Sequence, residues 1–485
     1  MAYADLREFI ARLDAEGEIR AIEEEVDWNL ELGAIVRRSC DLKAPAPFFQ
    51  RIKGYPAGYR VIGASAAASS RFGGYYTRVA LALGMVPQSS PLEIMEEYIR
   101  RKRQLIKPAI VSEGPCKEEV HTGSDVNVLE FPAPFIHAGD GGRYIGTWHA
   151  VITKDPDSDW VNWGCYRLMV RNENTLTGLV IPSQHNGILY QKYRTRNQPM
   201  EFAIALGIEP VSALVAVSRV PAGVSEVDVV GALRQEPVQL VKAETVDLMV
   251  PATAEIVLEG EMLPDDRELE GPFGEYTGYR SHHCSLPQPV YHIKAITHRR
   301  DPILPVCVTG VPPTDSIAPA LTLAAELLDD LRQRGLPVKS VYIPPASANA
   351  MAVVSATVPY AGFAQRVAHS IWATHACSHL WNVVVVDEDV DPTNMDEVVH
   401  ALSTRCHPDH GIYKVPNSHV HPLAPYLDPQ DRPLGKGAYV LFDCTWPKDW
   451  RPEEIPVMSS FNVAWPQEIR NKVIEKWTDY GYSKA

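Results

Sequence analysis

The chain has 485 residues, 45% of them hydrophobic and 22% charged, which is ordinary for a globular protein large enough for two or three domains. Its 46 basic and 60 acidic side chains give a formal charge of -14 with no basic block or tail, which argues against nucleic acid as a main partner. Acids interrupt the first apolar stretch and no uncharged apolar run reaches 18 residues, so neither a signal peptide nor a membrane span is expected.

Residues 1–115 read as a mixed α/β region. "DLREFIARLDAEGEI" predicts a helix with Asp5 as its cap, Leu6, Phe9, Ile10 and Leu13 on one face, and Gly17 at its end. "LELGAIVRRSCD" predicts a second helix, "YRVIGASAA" a strand, and "SPLEIMEEYIRRKRQL" a further helix. From 116 to 300 the pieces turn short, β-branched and aromatic: "RYIGTWHAVIT", "WVNWGCYRLMV", "NTLTGLVI", "VSALVAVSRV" and "VYHIKAITH". Helical interruptions such as "GILYQKYRTRN" are few, and the region predicts a largely antiparallel, barrel-like domain.

Residues 301–455 alternate between the two periods. "ILPVCVTG", "VKSVYIP" and "NVVVVDED" read as strands, and "PALTLAAELLDDLRQRG", "GFAQRVAHSIWATHA" and "NMDEVVHALSTR" as helices, which implies a layered sheet. The tail, 456–485, carries a late helix with Ile469, Val473, Ile474 and Trp477, whose apolar face must cover either its own core or a neighbouring subunit. The overall expectation is a multidomain α+β protein. The eight cysteines, at 40, 116, 165, 284, 307, 377, 406 and 444, form no CxxC pair and read as reduced thiols in a cytoplasmic protein.

Several stretches look chemical and are weak. "SHHC" at 281–284, "CHPDH" at 406–410 and "HVH" at 419–421 lack the paired spacing of a zinc site. "VVVVDEDVD" reads as a core strand surfacing in acids. Neither GxGxxG after a strand, GxxxxGK[ST] nor GxSxG is present.

A different set lies in the middle region. Asn162 and Arg167 come from "NWGCYR", Gln184 and His185 from "IPSQHNG", Glu226 from "GVSEVDVVGAL", and Glu270 and Glu275 from "EGPFGEYTGY". Asn, His and Glu suit a hard or borderline divalent ion. Arg167 offers a fork that matches a carboxylate, and two glutamates beside it can divide proton-transfer and electrostatic roles. Each residue also has a plain structural reading: a turn cap for Asn162, a satisfied buried histidine, a turn acid for Glu226, and a salt bridge for Arg167. A five-residue offset would put Glu270 and Glu275 on opposite faces of a straight strand, so Gly271, Pro272 and Gly274 must bend the chain if both are to face one site.

These motifs, with "RYIGTWHAVITKDPD", "VKAETVDLMVPATAEIVLEG" and "VVVVDEDVD" in the same order, make the chain resemble the UbiD family of decarboxylases over its full length. The resemblance implies a split β-barrel that binds prenylated FMN, an N-terminal α/β portion, a C-terminal oligomerisation domain, and a homodimer or hexamer. It implies reversible, non-oxidative decarboxylation of an aromatic acid through a covalent adduct with prenylated FMN, carbon dioxide being the other product. A flavin prenyltransferase would supply the cofactor. By the same resemblance, Asn162, His185 and Glu226 hold a divalent metal, usually Mn2+ with K+ nearby, which ties down the cofactor phosphate. Arg167, Glu270 and Glu275 form the proton-transfer network, with Glu275 as donor. Ile181 and Gln184 line the reaction pocket, and Ile145, Gly146 and Thr147 contact the flavin. One departure is Asn382, where the family often has a phosphate-binding lysine.

The preferred substrate is a hydroxybenzoate such as 3,4-dihydroxybenzoate, with His and Asp residues near Pro312 to Ile317 or in the C-terminal domain assisting. A pyrrole, indole or furan carboxylate is the alternative. A noncatalytic flavin-binding assembly subunit and a conventional flavin reductase remain as readings from other classes. The complete Asn-His-Glu and Glu-Arg-Glu sets argue against the first of these.

Overall fold

A computed structural model describes residues 3–281, 285–374 and 378–483. The first helix, Leu6–Ala15, forms as its apolar spacing predicts: Leu6, Phe9, Ile10 and Leu13 are buried, and Asp5 accepts from the Glu8 amide at 2.9 Å. Helix Pro91–Lys102 begins with a complete capping box between Ser90 and Glu93. The N-terminal sheet takes Ile19–Val26, Ala46–Ile52 and Arg60–Gly63, then Ile303–Val306. The sequence alone places that last strand at the start of the C-terminal α/β stretch. It pairs parallel to Arg60–Gly63 instead, because its four residues are buried on both faces and fill the open edge of a sheet begun far earlier in the chain, at Ile19.

The central layer is a nine-stranded sheet curled into a half barrel. Its two longest strands, Ile256–Glu270 and Leu286–His298, form an antiparallel ribbon at its middle. Met200–Leu206, His149–Lys154 and Val161–Gly164 extend it on one side, and Thr175–Gly178, Leu168–Val170 and Tyr144–Gly146 on the other. Glu119–Thr122 pairs with the far end of Leu286–His298.

One predicted strand is a helix. "VSALVAVSRV" folds as helix Pro210–Ala216, every residue of it buried. Glu209 caps it by accepting from the Val211 and Ser212 amides at 2.9 and 2.7 Å, with Pro210 at the first turn. A segment buried all round carries no amphipathic period, so its β-branched composition misleads.

The C-terminal sheet has the order Val338–Tyr342, Met351–Ala356, Asn382–Asp387, Lys436–Cys444, Ile412–His419. The middle three strands are parallel and the two edges antiparallel. One continuous core joins helix Pro91–Lys102, through Tyr98, to Leu214, Leu328 and Val354, so all three layers share a core. Helix Gln467–Glu475 in the tail buries none of its residues.

Candidate functional site

Asn162, Arg167, His185, Glu226 and Glu275 line one cavity of about 280 Å³, walled by residues of the central sheet and of the C-terminal layer; Glu270 stands behind Arg167, outside the lining. Arg167 lies in the short connection between Val161–Gly164 and Leu168–Val170. Its Nε and Nη2 donate to the two oxygens of Glu270 at 2.9 and 2.6 Å. Its Nη1 meets the carboxylate of Glu275. Glu270 also accepts from the Tyr144 hydroxyl at 2.9 Å, and burial beside that acid pushes the Tyr144 phenol far above its usual range. The guanidinium lies 5.3 Å from the centre of the Phe273 ring.

The bend required between the two glutamates is present. Glu270 is the last residue of Ile256–Glu270, and Gly271 follows at φ +83°, a conformation open to glycine. The Gly141 amide donates to the Pro272 carbonyl at 2.7 Å, and the Gly274 amide to Asp140 at 3.0 Å. A Cβ on Gly274 would fall 2.5 Å from the His137 ring, so this loop closes against 137–141 only with glycine there. Glu270 is 1% exposed and Glu275 8%.

Asn162, His185 and Glu226 also come together. Asn162 sits on Val161–Gly164, while His185 and Glu226 each open a helix, His185–Thr195 and Glu226–Arg234. His185 Nδ1 is 3.9 Å from Glu226 Oε1, and Glu226 Oε2 accepts from the Trp163 amide at 2.8 Å. All three are buried and line the cavity. Burial pushes the Glu226 carboxyl above the usual carboxylate range, against the pull of His185 and the Trp163 amide. An amide, an imidazole and a carboxylate that resists ionisation alone form a donor set that fits a divalent cation, whose charge would offset that desolvation.

Ile181, Gln184 and Thr147 line the cavity. Ile145 is fully buried in the sheet core, and Gly146 packs so closely that a Cβ would lie 2.7 Å from the His149 ring. Asn382 opens a strand and its side chain donates to the Ala350 carbonyl at 3.3 Å, away from the cavity wall. From the Pro312–Ile317 loop, Ser316 reaches the cavity. Asp315 turns into the core to accept from the Ala66 amide at 2.8 Å.

Matches to the N-terminal, Rift-related and C-terminal domains of 3-octaprenyl-4-hydroxybenzoate carboxy-lyase cover residues 10–98, 109–312 and 318–444. The chain belongs to the UbiD family of carboxy-lyases. It is 39% identical to the UbiD relative pyrrole-2-carboxylic acid decarboxylase of Pseudomonas aeruginosa, over 99% of both chains. Its fold is similar to vanillic acid decarboxylase of Sedimentibacter hydroxybenzoicus in closed form (TM-score 0.89, 31% identity, 100% of both chains). It is also similar to an evolved dimeric form of the UbiD-class enzyme HmfF of Pelotomaculum thermopropionicum, solved with prFMN (TM-score 0.79, 30% identity, 94% of this chain and 97% of that one).

The UbiD-family cavity also holds residues that motif reading missed. Arg219 donates to His379 at 2.8 Å, and the His379 and His421 rings lie 4.3 Å apart beside Tyr276. His421 belongs to the "HVH" stretch that spacing ruled out for zinc. Burial lowers its pKa to about 3, so it is a neutral hydrogen-bonding group at the wall. His407 and His410 of "CHPDH" stack on each other at the exposed surface, 3.6 Å apart. His282, His283 and Cys284 of "SHHC" lie outside the described residues. The acids after "VVVV" are tied down structurally: Asp389 pairs with Arg405 at 2.7 Å, and Asp387 accepts from the Trp446 amide at 2.8 Å. Among the described residues no helix is long and apolar enough to cross a membrane.

Proposed function

We propose that this chain reversibly removes the carboxyl group of a planar aromatic acid, using prenylated FMN held in the cavity. The observation that carries the reading is the Arg167 guanidinium at the wall of that cavity, shared by two buried glutamates. When bound, prenylated FMN supplies the electron sink that an aromatic ring lacks. Every other task falls to the protein. Asn162, His185 and Glu226 would hold a divalent cation, Mn2+ in our reading together with K+, whose charge would offset that of the cofactor phosphate. Arg219 takes over the neutralising role for which Asn382 is unsuited, since an amide cannot cancel phosphate charge. Thr147, Ile181 and Gln184 wall the reacting end.

Arg167 orients the substrate carboxylate and holds Glu270 in place through two hydrogen bonds. Glu275, bound through one nitrogen of the guanidinium, is freer to take a proton and deliver it to the carbon that carbon dioxide leaves. In the carboxylation direction the same carboxylate receives that proton.

A phenolic acid of the 3,4-dihydroxybenzoate type is our first substrate reading, because His379 and the neutral His421 can hydrogen-bond a ring hydroxyl. A pyrrole-type heteroaryl acid is the second, favoured by the 39% identity to a pyrrole-2-carboxylic acid decarboxylase. A flavin prenyltransferase is the source of the cofactor, and a second copy of the chain covers the tail. Protein co-produced with the prenyltransferase and purified without oxygen should release carbon dioxide from one of these two acid classes. Equal turnover without prenylated FMN would overturn the reading.

A further inference from the structure

A second cluster of metal-capable side chains lies outside the cavity. His121 is on Glu119–Thr122, His298 ends Leu286–His298, and Glu130 ends the short 3-10 turn Val128–Glu130. None of the three lines the cavity. The strand register explains the pairing of the histidines. His121 stands opposite Ile296 and His298 opposite Glu119, so the two imidazoles are diagonal neighbours on one face of the sheet. One ligating atom from each of the three residues lies within 4.8 Å of the other two.

Two further features aim this cluster at a cation. His298 is 3% exposed, and its Nδ1 lies 2.8 Å from the Arg299 carbonyl. A carbonyl only accepts, so Nδ1 carries the proton and the lone pair sits on Nε2, which is buried with no hydrogen-bond partner. A ring nitrogen held by a backbone carbonyl with its other nitrogen turned inward is the arrangement that orients metal-binding histidines. The second feature is Glu130, whose Oε1 is buried and 3.2 Å from His121 Nδ1. A tetrahedral zinc site places its ligand atoms about 3.4 Å apart. The trio therefore closes by a small movement of the side chains of His121 and Glu130, which are 28% and 21% exposed. His298 stays fixed by its carbonyl and by the Phe131 ring, 5.3 Å away.

We infer that His121, Glu130 and His298 form a binding site for a borderline divalent cation of the zinc type, with a fourth position left for water. The donor set of two imidazoles and one carboxylate selects such an ion over Mg2+ or Ca2+, which prefer oxygen ligands. A bound ion would pin the 128–130 turn and the edge strand Glu119–Thr122 to the long central strand.

The test is zinc stoichiometry in the full chain after chelator treatment. The wild type should bind one more equivalent of Zn2+ than His121→Ala, a substitution at a partly exposed position. Glu226→Ala, which disables the donor set in the cavity, should retain one equivalent, and Glu226→Ala combined with His121→Ala should lose it. Zinc should raise the melting temperature of Glu226→Ala and leave that of the double variant unchanged. Equal zinc uptake by the wild type and His121→Ala would overturn the assignment, as would a Glu226→Ala protein that binds none.

Discussion

Arg167 and Glu270 face each other through two parallel hydrogen bonds, 2.9 and 2.6 Å long, although 103 residues separate them. With Tyr144 donating a third bond, Glu270 is held in one position by three hydrogen bonds. Glu275 meets the same guanidinium through a different nitrogen. The two acids are therefore unequal, and substitution should separate them.

Glu275→Gln keeps the shape and removes the proton carrier. Turnover should fall about 10²- to 10⁴-fold, the usual contribution of a positioned acid, while bound flavin absorbance stays at the wild-type level. Normal carbon dioxide release by this variant would remove Glu275 from the mechanism.

Arg167→Lys keeps the charge and loses the fork. A charge-assisted hydrogen bond is worth about 1.5–3 kcal/mol, so kcat/KM should drop roughly 10- to 100-fold. Steady-state kinetics on the best aromatic acid would check this. An unchanged value would mean that a point charge suffices.

Glu226→Ala removes the anionic member of the buried donor set. Purified protein should contain less Mn2+ and less flavin than the wild type, measured by elemental analysis and absorbance. Arg219→Met should lower flavin retention while leaving the metal content intact, because Arg219 acts on the phosphate in our reading.

Stability should fall in mild acid through His149. Burial lowers its pKa to about 3, against a contact with the Tyr166 backbone. Between that value and the ordinary histidine pKa of about 6.5, the unfolded chain binds a proton that the folded chain refuses, so stability rises with pH across the window. The loss from pH 7 to pH 5 should be about 2 kcal/mol for this group. Urea unfolding at the two pH values should show a smaller difference in His149→Gln.

The tail exposes Val463, Trp465, Ile469, Ile474 and Trp477, between 37% and 63% each. In our reading a second copy of the chain covers this apolar surface. A chain ending at residue 455 should elute from gel filtration as a smaller species than the full chain. Identical elution would exclude the tail from assembly.

Much of the site was legible as residues and little of it as geometry. Asn162, His185, Glu226, Arg167, Glu270 and Glu275 were marked by motif. Arg219, His379 and His421 were not, because they come from separate loops with no spacing in common and meet only through tertiary packing. The strands Met200–Leu206 and Ile256–Glu270, central to the sheet, were also missed. Met200–Leu206 is buried at nearly every position, so it shows no alternation to find.

The sequence by itself determined what depends on neighbours in the chain: the cap at Asp5, the apolar face of the first helix, the need for a bend at 271–274, and the family. Tertiary structure alone decided that Ile303–Val306 joins the N-terminal sheet, that 210–216 is helical, and that His121 and His298 share a face. The reason is physical. Helix caps and side-chain periods are set within a few residues. Strand register and loop closure are set by burial across a hundred or more, and those are what bring Arg167 to its two glutamates.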